Sequence, residues 1–143
     1  MSILKGSILI VEGDESARGM LLSSLSRECY YCVAVSTGLD AVNKCAAYDF
    51  DVVILDAMMP RTPVAELLPK LIERCPETQL IVVEPTPDRK AIEESIRLGA
   101  CDYVTEPLNI CDIVERVEAA MARKRLTPDK RQHASSGTTR LTP

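Results

Sequence analysis

The sequence has no tryptophan, one phenylalanine, four tyrosines and one histidine among its 143 residues. So few aromatic rings leave little for nucleic-acid bases to stack on, which argues against a single-strand binder. A lone histidine, His133, cannot build a multi-histidine metal site and would have to serve alone in any Ser-His-Asp chemistry. A surplus of positive charge is also missing: 17 Lys and Arg stand against 21 Asp and Glu, a net charge of -4. Nucleic-acid binders show a basic footprint, so no nucleic-acid partner is expected. Long apolar runs are absent too. Ile8-Leu9-Ile10-Val11 falls short of the ~7–15 residues of a signal-peptide core, and nothing approaches the ~20 of a membrane span. No membrane association and a cytoplasmic location are therefore expected. The six cysteines are then expected as thiols rather than bridges.

What is present is a globular balance, with 46% hydrophobic and 27% charged residues. The length suits one domain of the usual ~100–200 residues. A domain near that size buries roughly 70% of its unfolded surface and needs no staples. Short β-branched runs occur at Ile8–Val11, Cys32–Val35, Val52–Leu55, Leu80–Val83 and Tyr103–Val104. The third and fourth are apolar throughout, as strands covered on both faces should be. Between and after them lie five stretches of helical period: Met20, Leu21, Leu25; Gly38, Ala41, Val42, Cys45; Val64, Leu67, Leu68, Leu71; Ile92, Ser95, Ile96, Gly99; and Ile110, Ile113, Val114, Val117, Met121. This alternation predicts an α/β fold, a doubly wound parallel sheet of five strands with helices on both faces. Asp88 and Asn109 are placed to cap the fourth and fifth helices, and Arg123, Lys124 and Arg125 suit the negative end of the last. Pro69 interrupts the third, which is expected either to bend there or to begin there. Residues 1–126 are read as the domain. Residues 127–143 are polar and without period, the composition of a flexible tail or of a linker to a further domain.

In an open parallel sheet, ligands bind beyond the carboxyl ends of the strands. The residues after the first, third, fourth and fifth runs are Glu12-Gly13-Asp14-Glu15, Asp56-Ala57-Met58-Met59-Pro60, Glu84-Pro85 and Thr105-Glu106-Pro107. Carboxylates thus converge on one edge from four strands. Asp56, directly after a buried run, can act as a nucleophile or bind a hard cation through oxygen.

Three segments resemble response-regulator receiver domains of two-component signalling. They are Ile8-Leu-Ile-Val-Glu12-Gly13-Asp14-Glu15-Ser-Ala-Arg18, Asp51-Val-Val-Ile-Leu-Asp56-Ala-Met58-Met-Pro60 and Gly99-Ala-Cys-Asp102-Tyr103-Val-Thr-Glu106-Pro107-Leu108. They occur in the family's order and spacing over about residues 6–124. The resemblance implies a flavodoxin-like fold and a phosphoryl acceptor at Asp56. It implies a Mg²⁺ site from Glu12, Asp56 and the Met58 carbonyl; Asp14, which the register set by Arg18 keeps from being the family's second acid, is a candidate further donor. It places Glu84 and Tyr103 at the switch positions. The implied activity is signalling and not enzymatic, apart from Mg²⁺-dependent self-phosphorylation and dephosphorylation at Asp56. The implied partners are a sensor histidine kinase or another signalling protein, or a second copy through the face of the fourth and fifth helices that includes Arg116.

The departures from the family pattern bear on function. Gly13 replaces the second acid of the opening pair, the more direct Mg²⁺ ligand. Glu84 replaces the Ser or Thr that reads the phosphoryl group, and Glu106 replaces the lysine that pairs with it. The family pocket of three acids and one lysine is balanced by one Mg²⁺. Here Glu12, Asp56, Glu84 and Glu106 sum to -4 with no lysine. Two carboxylates ~5 Å apart repel by roughly 3 kcal/mol at an effective dielectric of 20, so such a pocket should raise a carboxyl pKa or recruit a cation. Oxygen ligands favour Mg²⁺, Ca²⁺ or Mn²⁺ over a soft metal. The expected function is a receiver domain phosphorylated weakly or not at all, acting as an interaction module. The alternatives are a conventional Mg²⁺-dependent response regulator and, more remotely, a flavodoxin-fold enzyme. A flavin enzyme would place a phosphate after the first strand, where Glu12, Asp14 and Glu15 repel it. Cys29-Tyr-Tyr-Cys32 is a CxxC, but it precedes a strand and not the helix start that activates a thiol; we read it as packing at a helix exit.

Overall fold

A computed structural model describes residues 3–126, so the expected tail at 127–143 lies outside the described residues. The chain runs β1 (Gly6–Val11), α1 (Glu15–Arg27), β2 (Tyr30–Val35), α2 (Gly38–Ala47), β3 (Val52–Asp56), α3 (Val64–Arg74), β4 (Gln79–Glu84), α4 (Arg89–Arg97), β5 (Asp102–Thr105) and α5 (Ile110–Leu126). All strand pairs are parallel, in the order β2-β1-β3-β4-β5. The doubly wound five-stranded fold expected from the alternation is the one observed. Chain order reverses between β1 and β3, and the ligand crevice of such a sheet opens at that reversal.

Strand pleating sorts the core into two layers. Leu9, Val11, Val53, Leu55, Leu80 and Val82 meet α2 and α3 on one face. Ile8, Ile10, Val52, Ile54, Ile81 and Val83 meet α1 and α5 on the other. The central strands are buried on both sides, which is why their sequences lack alternation. β1 and β2 each start two residues before the expected run because Gly6 pairs with Tyr30 and Ser7 with Tyr31.

The helices follow their predicted stripes with two corrections. The third begins at Val64 and keeps Pro69 inside it, so the reading that it starts at Pro69 is wrong. Ala65, whose carbonyl loses its helical partner to the proline, is exposed, as is Pro69; water can satisfy that carbonyl while Leu67, Leu68 and Leu71 stay buried. In α4, Ile96 was expected on the buried stripe but is 43% exposed. Gly99 lies beyond that helix at φ +118°, a conformation only glycine adopts readily. Asp88 caps α4 through the Lys90 and Ala91 amides, and Asn109 Oδ1 accepts from the Asp112 amide. The cations ending α5 also make tertiary contacts. Lys124 Nζ lies 2.7 Å from Asp51 Oδ1, and Arg123 donates to Gln79 and Cys101.

All six cysteines are free thiols. Cys29 follows the α1 cap and has φ +69°, with its amide donating to Ser26 O at 3.2 Å. This is the left-handed position that ends many helices and favours glycine, so Cys29 stands at a helix exit as expected. Cys29→Gly should therefore raise unfolding stability by about 0.5–1 kcal/mol, measured by urea denaturation; an unchanged or lowered midpoint would contradict it.

Candidate functional site

The crevice at the β1/β3 reversal is a cleft of about 670 Å³, bordered by Glu12, Asp14, Asp56 and Glu106 and by apolar walls that include Met20, Met58, Pro60 and Leu108. Pleating decides which acids enter it. Glu12 continues the alternation of Ile8 and Ile10, and Asp56 that of Val52 and Ile54, so both side chains leave the sheet toward α1 and α5. Because β1 pairs with β3 in parallel, Val11 beside Leu55, the next residue of each strand is Glu12 and Asp56.

Glu12 is buried, 4% exposed. Its Oε2 accepts from the Asp14 amide at 3.1 Å. Its carboxyl is pushed up to about 7, first by burial, then by the hydrogen bond it shares with Asp56, with the charges of Asp56 and Glu106 adding to the rise and the Asp14 N–H opposing it. Asp56 is half-buried, and its Oδ1 accepts from the Met58 amide at 3.0 Å. Met58 itself is exposed. Asp14 caps α1 by accepting from the Ala17 amide at 2.8 Å, which keeps its carboxylate at the cleft mouth. Glu106 is exposed on the rim. Among the described residues, the cleft's borders include no Lys or Arg. The nearby Arg18 guanidinium is turned onto the carbonyls of Glu12 and Gly13, at 3.0 and 3.4 Å.

Glu84 departs from the four-acid pocket expected above. It continues the alternation of Leu80 and Val82 and leaves the sheet on the opposite face from Asp56. There it is 3% exposed and accepts from Ser95 Oγ of α4 at 3.1 Å. Burial raises its pKa most, Ser95 opposes the rise, and Asp88 and Asp56 add to it through their charge. The cleft's fourth carboxylate is thus Asp14 and not Glu84. Tyr103 lies outside the cleft, half-buried on β5, with the Arg116 guanidinium 5.9 Å from its ring centre. Arg116 also pairs with Asp102 at 2.7 Å and Asp112 at 3.3 Å.

Chemically, the cleft offers hard oxygen donors in the Glu12 and Asp56 carboxylates and the Met58 carbonyl, the class Mg²⁺ takes with several waters retained. The set is one carboxylate short at Gly13. Among the described residues no three His, Cys, Asp or Glu side chains come together as a metal-holding group.

A profile of the response regulator receiver domain matches residues 8–118. The chain belongs to the receiver domain family. YkoG of Bacillus subtilis, an uncharacterized transcriptional regulatory protein, is 31% identical over 120 residues, which cover 82% of this chain and 51% of that protein. The response regulator ArlR of Staphylococcus aureus is 27% identical over 117 residues, covering 82% and 53%. The chain thus spans about half the length of these relatives. The solved CheY-like receiver domain protein of Methanospirillum hungatei superposes with a TM-score of 0.80 at 24% identity, covering 86% of this chain and 98% of that one. A receiver domain is a signalling module and not a classical enzyme; its family generally binds Mg²⁺ at the phosphorylation site and interacts with histidine kinases and other signalling proteins. Among the described residues no helix is long and apolar enough to cross a membrane.

Two contacts are not legible in the sequence. The docking-face reading of Arg116 does not reveal that it ties β5 to α5 beside Tyr103. Ser95 falls on an apolar stripe, where its lone hydroxyl is the available signal of a buried polar partner.

Proposed function

We propose that this receiver domain accepts a phosphoryl group at Asp56 weakly or not at all and serves chiefly as a protein-interaction module. One observation carries this reading. Glu106 stands on the cleft rim where the family has lysine, so among the described residues the cleft is bordered by four carboxylates and no cation. Phosphoryl transfer depends on positive charge around the transferring group, and each acid there opposes an incoming phosphate. Glu12, Asp56 and the Met58 carbonyl would hold Mg²⁺, weakly for want of an acid at Gly13. The ion's chemistry is to neutralise phosphoryl oxygens. The partners on this reading are a sensor histidine kinase or another signalling protein, or a second copy through α4 and α5.

A conventional Mg²⁺-dependent response regulator is the second reading. It is favoured by Asp56 itself, held beside Glu12 at the β1/β3 reversal by the Met58 amide. Amide NMR separates the two. Mg²⁺ followed by beryllofluoride, a phosphoryl mimic, is expected to shift only residues near Gly13, Asp14 and Met58, and only at high Mg²⁺. Shifts that spread to Tyr103 and α4 at millimolar Mg²⁺ would favour the conventional switch.

A further inference from the structure

Helix α4 is seated differently from the other helices of the fold. α1, α3 and α5 bury aliphatic side chains, and α2 buries Gly38, Ala41 and Cys45. The one fully buried residue of α4 is Ser95, at 0% exposure, while Ile96 beside it is turned outward. Ala91, Ile92 and Leu98 are only partly covered. The hydroxyl of Ser95 donates at 3.1 Å to Glu84 Oε1 at the end of β4, itself buried. Apolar contact is non-directional and tolerates sliding. A hydrogen bond between two buried side chains does not, since displacement by an ångström or two breaks it and strands a carboxyl in the interior.

We propose that Glu84 and Ser95 form a buried latch that fixes α4 on β4, so that this hydrogen bond sets the position of the outer α4 face. The latch faces away from the Asp56 carboxylate, because Asp56 and Glu84 leave opposite faces of the sheet; the cleft's rim meets the end of β4 at the backbone, where the Glu106 amide donates to Glu84 O at 3.0 Å. The latch lies beyond the proposed function and stands whether or not Asp56 takes a phosphoryl group.

Amide hydrogen exchange on the full chain tests it. Ser95→Ala should speed exchange across residues 91–98 by about tenfold or more relative to Val53, Ile54 and Leu55. Glu84→Gln retains an acceptor for the hydroxyl and should keep α4 exchange within about threefold of the parent. Glu84→Leu should speed α4, and adding Ser95→Ala to it should bring no further increase, as expected for two ends of one bond. Should Ser95→Ala fail to fold, the contrast between Glu84→Gln and Glu84→Leu makes the same test. The latch is overturned if Ser95→Ala speeds α4 no more than the core, if its effect is undiminished beside Glu84→Leu, or if Glu84→Gln loosens α4 as much as Glu84→Leu.

Discussion

Gly13→Asp combined with Glu106→Lys is expected to raise acetyl-phosphate labelling of Asp56 by about 100-fold or more, the scale on which a positioned charge or donor acts at a reacting centre. Glu106→Lys replaces a rim carboxylate with a cation, a change of two charges where phosphoryl oxygens would lie. Gly13→Asp supplies the missing hard ligand for Mg²⁺. Alone it adds negative charge to a cleft that already has four acids on its border, so its single effect should be small and the two should be synergistic. Both substitutions suit the fold. Glu106 is exposed, and a Cβ at Gly13 would sit 3.3 Å from Pro60 Cδ, a contact relieved by a shift of a few tenths of an ångström. Glu84→Thr completes the family pattern, yet it acts on the other face of the sheet and should add little to labelling. Incorporation of labelled phosphate, with Asp56→Asn as the blank, measures all of this. Equal labelling of the parent and the double variant would rule out cleft charge as the cause of weak phosphorylation.

Folding stability should fall by up to about 3 kcal/mol between pH 4.5 and pH 8, and Glu12→Gln should abolish most of that fall. The folded-state pKa of Glu12, about 7, lies above its ordinary value of 4.5. Between those two values the native state holds a proton that the unfolded chain has released. Stability therefore declines with rising pH across that window. The contribution is complete below 4.5 and gone above about 7, at 1.36 kcal/mol for each pKa unit. Asp51 acts in the opposite direction at lower pH. Burial raises its pKa, but the hydrogen bond and charge of Lys124 and the Ser7 N–H and O–H outweigh burial and lower it. Its contribution is present above pH 3.8 and is lost as the pH falls through the depressed folded value. Urea denaturation from pH 2 to 8 resolves the two, since the Asp51 window lies below pH 3.8 and the Glu12 window above pH 4.5. A flat profile above pH 4.5, or a Glu12→Gln profile parallel to the parent's, would contradict the raised Glu12 pKa.

Much of this is legible in the sequence. The runs at Val52–Leu55 and Leu80–Val83 became the buried central strands, because a strand covered on both faces must be apolar at every position. The acids that follow them had to lie on one edge, since parallel strands bring their carboxyl ends together. The Asp88 and Asn109 caps were visible because a cap is a local hydrogen bond. Ile96 lies on the periodic stripe yet is exposed, because period marks a candidate face but not whether a neighbour covers it. α4 covers its inner face at Ser95 and leaves Ile96 to solvent.

By itself, then, the sequence determined the parallel α/β fold, the edge on which Asp56 lies, and the absence of a cation at Glu106, all consequences of local pattern and residue identity. Only the tertiary structure decided which acids share the cleft. A one-residue difference in phase along β4 sends Glu84 through the sheet to Ser95, while Glu12 and Asp56 emerge together on the other side. That outcome depends on register between strands distant in the chain, and side-chain direction reverses with every residue.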